Sequence, residues 1–306
     1  MKIGFLFVGQ GSQTVGMGQD VYQNYSSSKE LFDSVTLDFD IKDVCFNGPK
    51  EKLDQTYYTQ PSLLVTSLAI ANALNEEGVH AEYVAGLSLG EYSALTYAGC
   101  IGVNDAVRLV SQRGEIMSNA LPSNMSGMAA VLSDQLETIN EVIKSVESEN
   151  LGCLEIANYN SPSQTVISGE SKALEHAISL LKDRKIRCIP LSVSGAFHTS
   201  LLNKASQELN QVLNHYEFKQ PKCTVIFNIS GDIETDIKTA LTRQICSSVQ
   251  WVKTIEKMRD CGVDCFIEIG PKNSLQKLVK QIIPDAKVFS VDSKETIKQM
   301  IGELYG

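Results

Sequence analysis

No apolar run in the sequence approaches the roughly 20 residues that a membrane-spanning helix needs. A helical integral membrane protein is therefore not expected. The opening "MKIGFLFVGQG" has one Lys before apolar residues, as a secretory signal does. Its apolar stretch is too short, however, and it runs into "GQGSQ" rather than a small-residue cleavage site, so a buried strand fits better. There is no basic run with interleaved aromatics, and the net charge is −9; both argue against a nucleic-acid surface. Neither a sequence repeat nor a low-complexity tract is present. Metal-ligand spacing is missing too. Of the eight cysteines, the one close pair is Cys261 and Cys265, with no second pair or His cluster nearby. Cys153, Cys188, Cys223 and Cys265 lie among strand-like apolar residues, where a free Cys acts as a small hydrophobe. No metal, no disulfide framework and a reducing cytoplasm are the expectations.

What is present is a soluble, globular composition: 306 residues, 43% hydrophobic and 21% charged, enough for a sizeable core. "KIGFLFVG", "EYVAGLSLG", "DCFIEIG" and "AKVFSVD" read as buried parallel strands. Helical patterns separate them, among them "PSLLVTSLAIANALNEEG" and "NDAVRLVSQRGEIMSNAL". That alternation implies an α/β sheet covered on both faces. The middle of the chain reads as strand, helix, two strands, helix, strand, from "MSGMAAVLS" to "IRCIPLSVS". This βαββαβ order is the ferredoxin-like arrangement. A compact unit over 125–193 is therefore expected inside a larger α/β domain made of 1–124 and 194–306. "LPSNMSG" and "SVSGAF" are the expected hinges.

The chemistry begins at residues 86–90, "GLSLG", a G-x-S-x-G pattern between a strand and a helix. In that context it makes a nucleophile elbow, a strained turn that exposes the Ser88 hydroxyl. A capped strand-to-helix turn is the plainer alternative. Serine needs a base, and only four histidines exist. His176 sits in an amphipathic helix, His215 follows a polar helix and His80 lies in a loop. Elimination favours His198, after a strand end and a glycine. Acids between Ser88 and His198 mostly belong to the inserted unit, so a Ser–His pair oriented by a backbone carbonyl is expected instead of a full triad. The Gly-rich "VGQGSQTVGMG" leaves backbone N–H groups free for a phosphate or an oxyanion, without the Lys-Ser/Thr of a Walker A loop. In "NDAVRLVSQRGEIM", Ala106, Leu109, Val110 and Met117 form an apolar stripe with Arg113 at its centre, while Arg108 points away. An inward arginine needs an anionic partner, either an internal salt bridge or a substrate carboxylate.

Taken together, "GQGSQTVGMG", "TQPSLL", "GLSLGEYSAL", "QRGEIM", "NYNSPSQTVISG", "GAFHTSLL" and "EIGP" resemble, in order and over essentially the whole chain, the acyltransferase family of fatty acid and polyketide synthesis, the malonyl-CoA:acyl-carrier-protein transacylases. The resemblance implies an α/β-hydrolase-like parallel-sheet domain with an inserted ferredoxin-like subdomain. It implies that Ser88 is the nucleophile, His198 its base, and Gln10 with the Leu89 N–H the oxyanion hole. Arg113 would pair with the malonyl carboxylate, in a pocket lined by Gln60, Asn160, Met117 and Phe197. The Gln244 backbone carbonyl would orient the histidine, in preference to Gln250. Phe197, before the histidine, looks like the malonyl-selective form. Departures from the family pattern are Val8, Leu87, Ser248 and Lys272, the last where a glycine is usual.

The activity so implied is ping-pong malonyl transfer from malonyl-CoA to holo acyl carrier protein for fatty acid synthesis, with a polyketide carrier as the alternative acceptor. No metal or redox cofactor and a monomer are expected. A serine hydrolase would share the elbow but would not need Arg113. A non-catalytic carrier-binding subunit would lack the nucleophile or the base. Lys272, Lys277 and Lys280, at a strand-to-helix turn, are the expected basic patch for an acidic carrier.

Overall fold

The structure, a computed structural model, describes every residue except Ser123 and Ser194. Its strands are β1 (Ile3–Phe7), β2 (Tyr83–Gly86), β3 (Ser126–Leu132), β4 (Leu154–Ser161) and β5 (Gln164–Glu170), followed by β6 (Arg187–Pro190), β7 (Thr224–Ile226), β8 (Cys265–Ile269) and β9 (Lys287–Val291). They form two sheets, a parallel one ordered β7-β2-β1-β8-β9 and an antiparallel one ordered β4-β5-β3-β6.

The parallel sheet is buried because its strands are apolar on both faces; all five residues of β1, "IGFLF", are buried. Its helices cover both sides, chief among them Thr56–Glu76 and Val103–Asn119, which pack along each other. The antiparallel sheet has the ferredoxin-like order for a βαββαβ chain. Its helices Leu136–Ser148 and Ser171–Asp183 cover one face with a small core of their own, including Ile139, Val142, Ile167 and Leu181. The other face, with Met128, Ala130, Ala157 and Val166, joins the main core. β4 is also tied to the rest of the chain by backbone bonds in both directions. Tyr159 N–H donates to Val249 O at 2.9 Å, and Val249 N–H to Ala157 O at 2.8 Å.

Two local expectations differ from the structure, and one short strand lies outside them. The helix expected to start at Pro61 starts at Thr56, with Pro61 in its interior. Proline removes one N–H there, but the buried, leucine-rich face of the helix outweighs that loss. The strand expected to run on through "LSVS" stops at Pro190, which has no N–H to donate. The short strand is β7, whose three residues are too few to show a periodic pattern in the sequence. Of the two expected hinges, Ser123 and Ser194 lie outside the described residues. All eight cysteines are free. No described helix is long and apolar enough to cross a membrane.

Candidate active site

β2 ends at Gly86 and the helix Gly90–Tyr97 begins four residues on, with Ser88 at the turn. The turn is sharp enough to exclude side chains on both flanks. A Cβ on Gly86 would lie 1.9 Å from the Gly90 carbonyl carbon, and one on Gly90 2.1 Å from Phe7 O. Ser88 itself takes φ 54°, the left-handed region. For a non-glycine residue this costs roughly 1–3 kcal/mol and persists only when its surroundings hold it. They do hold it. Ser88 N–H donates to Asn228 Oδ1 at 2.7 Å, and Ser88 O accepts from Gln244 Nε2 at 2.9 Å.

Of the four histidines, only His198 reaches the elbow. Its Nε2 lies 2.8 Å from Ser88 Oγ, and its Nδ1 lies 2.8 Å from Gln244 O. A carbonyl can only accept, so Nδ1 carries the proton and the Nε2 lone pair faces the serine hydroxyl. Burial, helped by the nearby Arg113 charge, pushes the His198 pKa down to about 4. The ring is therefore a neutral base at pH 7. No carboxylate touches it among the described residues. His80 and His215 are exposed, and His176 pairs with Glu149 at 3.2 Å. Gln250 uses its backbone N–H on Asn228 O instead, at 2.7 Å.

Arg113 is 1% exposed, at the centre of the apolar stripe. Arg108 is on the outside, paired with Asp105. The Arg113 guanidinium donates from Nη1 to Gln60 Oε1 at 2.8 Å, and from Nη2 to Gln244 Oε1 at 3.0 Å and Ser88 Oγ at 3.2 Å. Its other face lies 5.1 Å from the centre of the Tyr92 ring, and its Nε has no acceptor among the described residues. Burial lowers its pKa, yet guanidinium stays charged. Glu91 is the nearest buried acid, but burial raises its carboxyl to about 8, against the pull of the Asn228 N–H and the Arg113 charge. At neutral pH it is mostly protonated. The site thus holds a desolvated cation, ringed by amide oxygens and with no carboxylate paired to it among the described residues.

The other candidates converge on or behind one cleft of about 320 Å³, the size of a small-molecule site. Gln10, Met117, Asn160 and Phe197 line it, with Met128, Gln164 and Leu191. Gln60 sits behind Arg113, its amide also reaching Met117 Sδ at 3.8 Å. Asn160 donates to Gln164 Oε1 at 3.0 Å, and its own buried Oδ1 lacks a partner among the described residues. The Gly-rich loop reaches the elbow because β1 and β2 are neighbours in the sheet. Backbone N–H groups of Gln10 and Leu89 have no acceptor among the described residues. Lys272, φ 70°, lies at the rim with Nζ 2.6 Å from Gly11 O. Glu268, in "EIGP", is buried at the end of β8 and accepts the Leu275 and Gln276 N–H groups at 3.0 and 2.8 Å, fixing that turn.

Glu91, Tyr92 and Asn228 were not singled out from the sequence. Glu91 and Tyr92 had a signal, as polar residues opening an otherwise apolar helix directly after the elbow. Asn228 had none, standing 140 positions from Ser88 in an unremarked "FNIS".

A family profile described as acyl transferase domain matches residues 4–302. The malonyl CoA-acyl carrier protein transacylase of Bacillus subtilis (strain 168) is 41% identical over 99% of this chain and 97% of its own length. Among solved structures, the malonyl CoA-acyl carrier protein transacylase of Clostridium perfringens superposes with a TM-score of 0.96, at 40% identity over 99% of this chain and 97% of that one. A malonyl-transacylase solved in complex with a type II PKS acyl-carrier protein superposes at 0.95, with 34% identity over 99% of this chain and 100% of that one.

Proposed function

This chain belongs to the acyl transferase domain family, and from that premise we propose that it carries malonyl groups from malonyl-CoA to the phosphopantetheine thiol of holo acyl carrier protein. The observation that carries the malonyl reading is Arg113. A buried guanidinium within 3.2 Å of the Ser88 hydroxyl, with no carboxylate paired to it among the described residues, suits an acyl group that brings one.

The reaction follows from the groups present. The free carboxylate of malonyl-CoA pairs with Arg113, which sets the thioester carbonyl against Ser88 Oγ. His198 Nε2 takes the hydroxyl proton as Oγ attacks, and the backbone N–H groups of Gln10 and Leu89 hold the tetrahedral oxyanion. Collapse breaks the C–S bond, His198 returns the proton to the CoA sulfur, and malonyl-Ser88 remains. The carrier's thiol then enters, gives its proton to His198 and reverses the sequence, a ping-pong exchange. Gln244 O keeps the imidazole in the required tautomer throughout. As written, the transfer uses no metal or redox cofactor. We place the enzyme in the cytoplasm, as a monomer, supplying fatty acid synthesis.

Incubation with radiolabelled malonyl-CoA, then with holo carrier, tests this. Label on the protein first and on the carrier second is expected. Release of free malonate without need of a thiol would make the protein a hydrolase. A preference for polyketide over fatty acid carriers would move it to the other pathway.

A further inference from the structure

Asn228 follows β7, the parallel neighbour of β2, and is completely buried. Its side-chain amide spans the elbow: Oδ1 accepts from Ser88 N–H at 2.7 Å, while Nδ2 donates to Gly86 O at 2.7 Å. The orientation is forced, since a backbone N–H only donates and a carbonyl only accepts. The asparagine backbone is fixed as firmly. Its N–H donates to Glu91 Oε2 at 2.5 Å, and its carbonyl accepts from Gln250 N–H at 2.7 Å. All four polar groups of one residue are therefore engaged, two of them on the strained turn.

We propose that Asn228 is a positioning residue for acyl transfer, clamping the elbow from Gly86 O to Ser88 N–H so that the Ser88 hydroxyl stays in line with His198. This rests on the reading of Ser88 as the nucleophile. Because the clamp occupies the Ser88 N–H, it also assigns the oxyanion to the Leu89 and Gln10 N–H groups alone. Only a side chain that accepts at one atom and donates at the next can do this. An ionised aspartate cannot, because it would face Gly86 O with a second acceptor. A protonated aspartate can.

That difference gives the test. A fluorophosphonate probe reports on the serine whatever acyl group the enzyme prefers. Oγ bonds to phosphorus, the P–F bond breaks, fluoride leaves and His198 takes the proton. Labelling rates are measured for wild type, Asn228→Ala and Asn228→Asp at about pH 5.5 and about pH 8. Other ionisable groups facing the site are Glu91 and Tyr92 on the elbow helix, Arg113 on its own helix, His198, and Glu234, which acts on Glu91 through space. They are common to all three proteins, so each variant is compared with wild type at the same pH.

Asn228→Ala is expected to label about 10- to 100-fold more slowly at both pH values, the effect of two lost buried hydrogen bonds. Full burial and the facing Gly86 carbonyl both favour the protonated carboxyl, raising an aspartate here above the free range, so Asn228→Asp is expected to match alanine near pH 8 and to recover several-fold towards wild type near pH 5.5. Wild-type labelling by both variants, or an aspartate variant that tracks alanine at both pH values, overturns the proposal. Should the alanine protein not fold, the aspartate variant still gives the answer through its own pH ratio. Wild type that labels but accepts no malonyl would remove the malonyl reading and leave this one standing.

Discussion

Arg113 is held by oxygens from three residues, and each contact depends on its being cationic and planar. Hydrogen bonds to a charged group contribute roughly 1.5–3 kcal/mol each, and a malonyl carboxylate can accept two. Arg113→Ala is thus expected to cut kcat/KM for malonyl transfer by about two orders of magnitude or more, with little loss for acetyl. Paired measurements on one preparation decide; equal losses would make Arg113 structural. The two buried titratable neighbours act in opposite directions with pH. His198, held down near 4 in the fold, binds its proton more readily in the unfolded chain. Its contribution to stability is complete above about pH 6.5 and lost as the pH falls towards 4. Glu91, pushed up to about 8, contributes below about pH 4.5 and loses that as the pH rises towards 8. Between about pH 6.5 and 8 only Glu91 is changing, so Glu91→Gln is expected to flatten the alkaline fall in urea midpoints across that window. Acylation, in turn, is expected to hold level on the acid side until close to pH 4, where His198 protonates. An acid limb near pH 6.5 in kcat/KM would mean that the imidazole is solvated.

The turn after β8 shows what one element can do to another. Lys272 stands in a left-handed conformation at the cleft rim, and its amine reaches Gly11 O in the loop that carries Gln10. Lys277 and Lys280 are exposed on the following helix, Ser274–Ile282. If the three serve the acidic carrier, Lys272→Glu raises the carrier's KM several-fold, in a salt-sensitive way, and changes acylation by malonyl-CoA much less. Equal effects on both half-reactions would make Lys272 a brace for the Gly-rich loop alone. Long strands, amphipathic helices and the G-x-S-x-G turn were legible in the sequence because each is written in local periodicity. β7 was not, since three residues carry no period. Neither was the start of the Thr56–Glu76 helix, where packing overrides a proline. Arg113 could be read because it breaks a stripe of its own helix. Asn228 breaks no pattern, and its importance exists only across the gap that folding closes.

At the scale of the whole molecule, the inserted sheet is a wall of the cleft rather than an appendage. Met128 and Val166 line the cleft and, with Ala130 and Ala157, are part of the main core, and the Tyr159–Val249–Ala157 bonds strap β4 to it. A single calorimetric transition is expected, with matching calorimetric and van't Hoff enthalpies; two separated peaks would mean that the small core melts on its own. The strand order also sets a timetable for synthesis. β1 and β2 leave the ribosome before the rest, but the neighbours for their outer edges are β8 and β7, which follow only after the whole inserted unit. At roughly 5–20 residues per second, those edges wait unpaired for on the order of ten seconds. β3 to β6 are consecutive and can complete their own sheet in that interval. The wall is therefore built before the room. Ser88 meets its histidine, and the carbonyl that orients it, only when the chain has been made as far as Gln244.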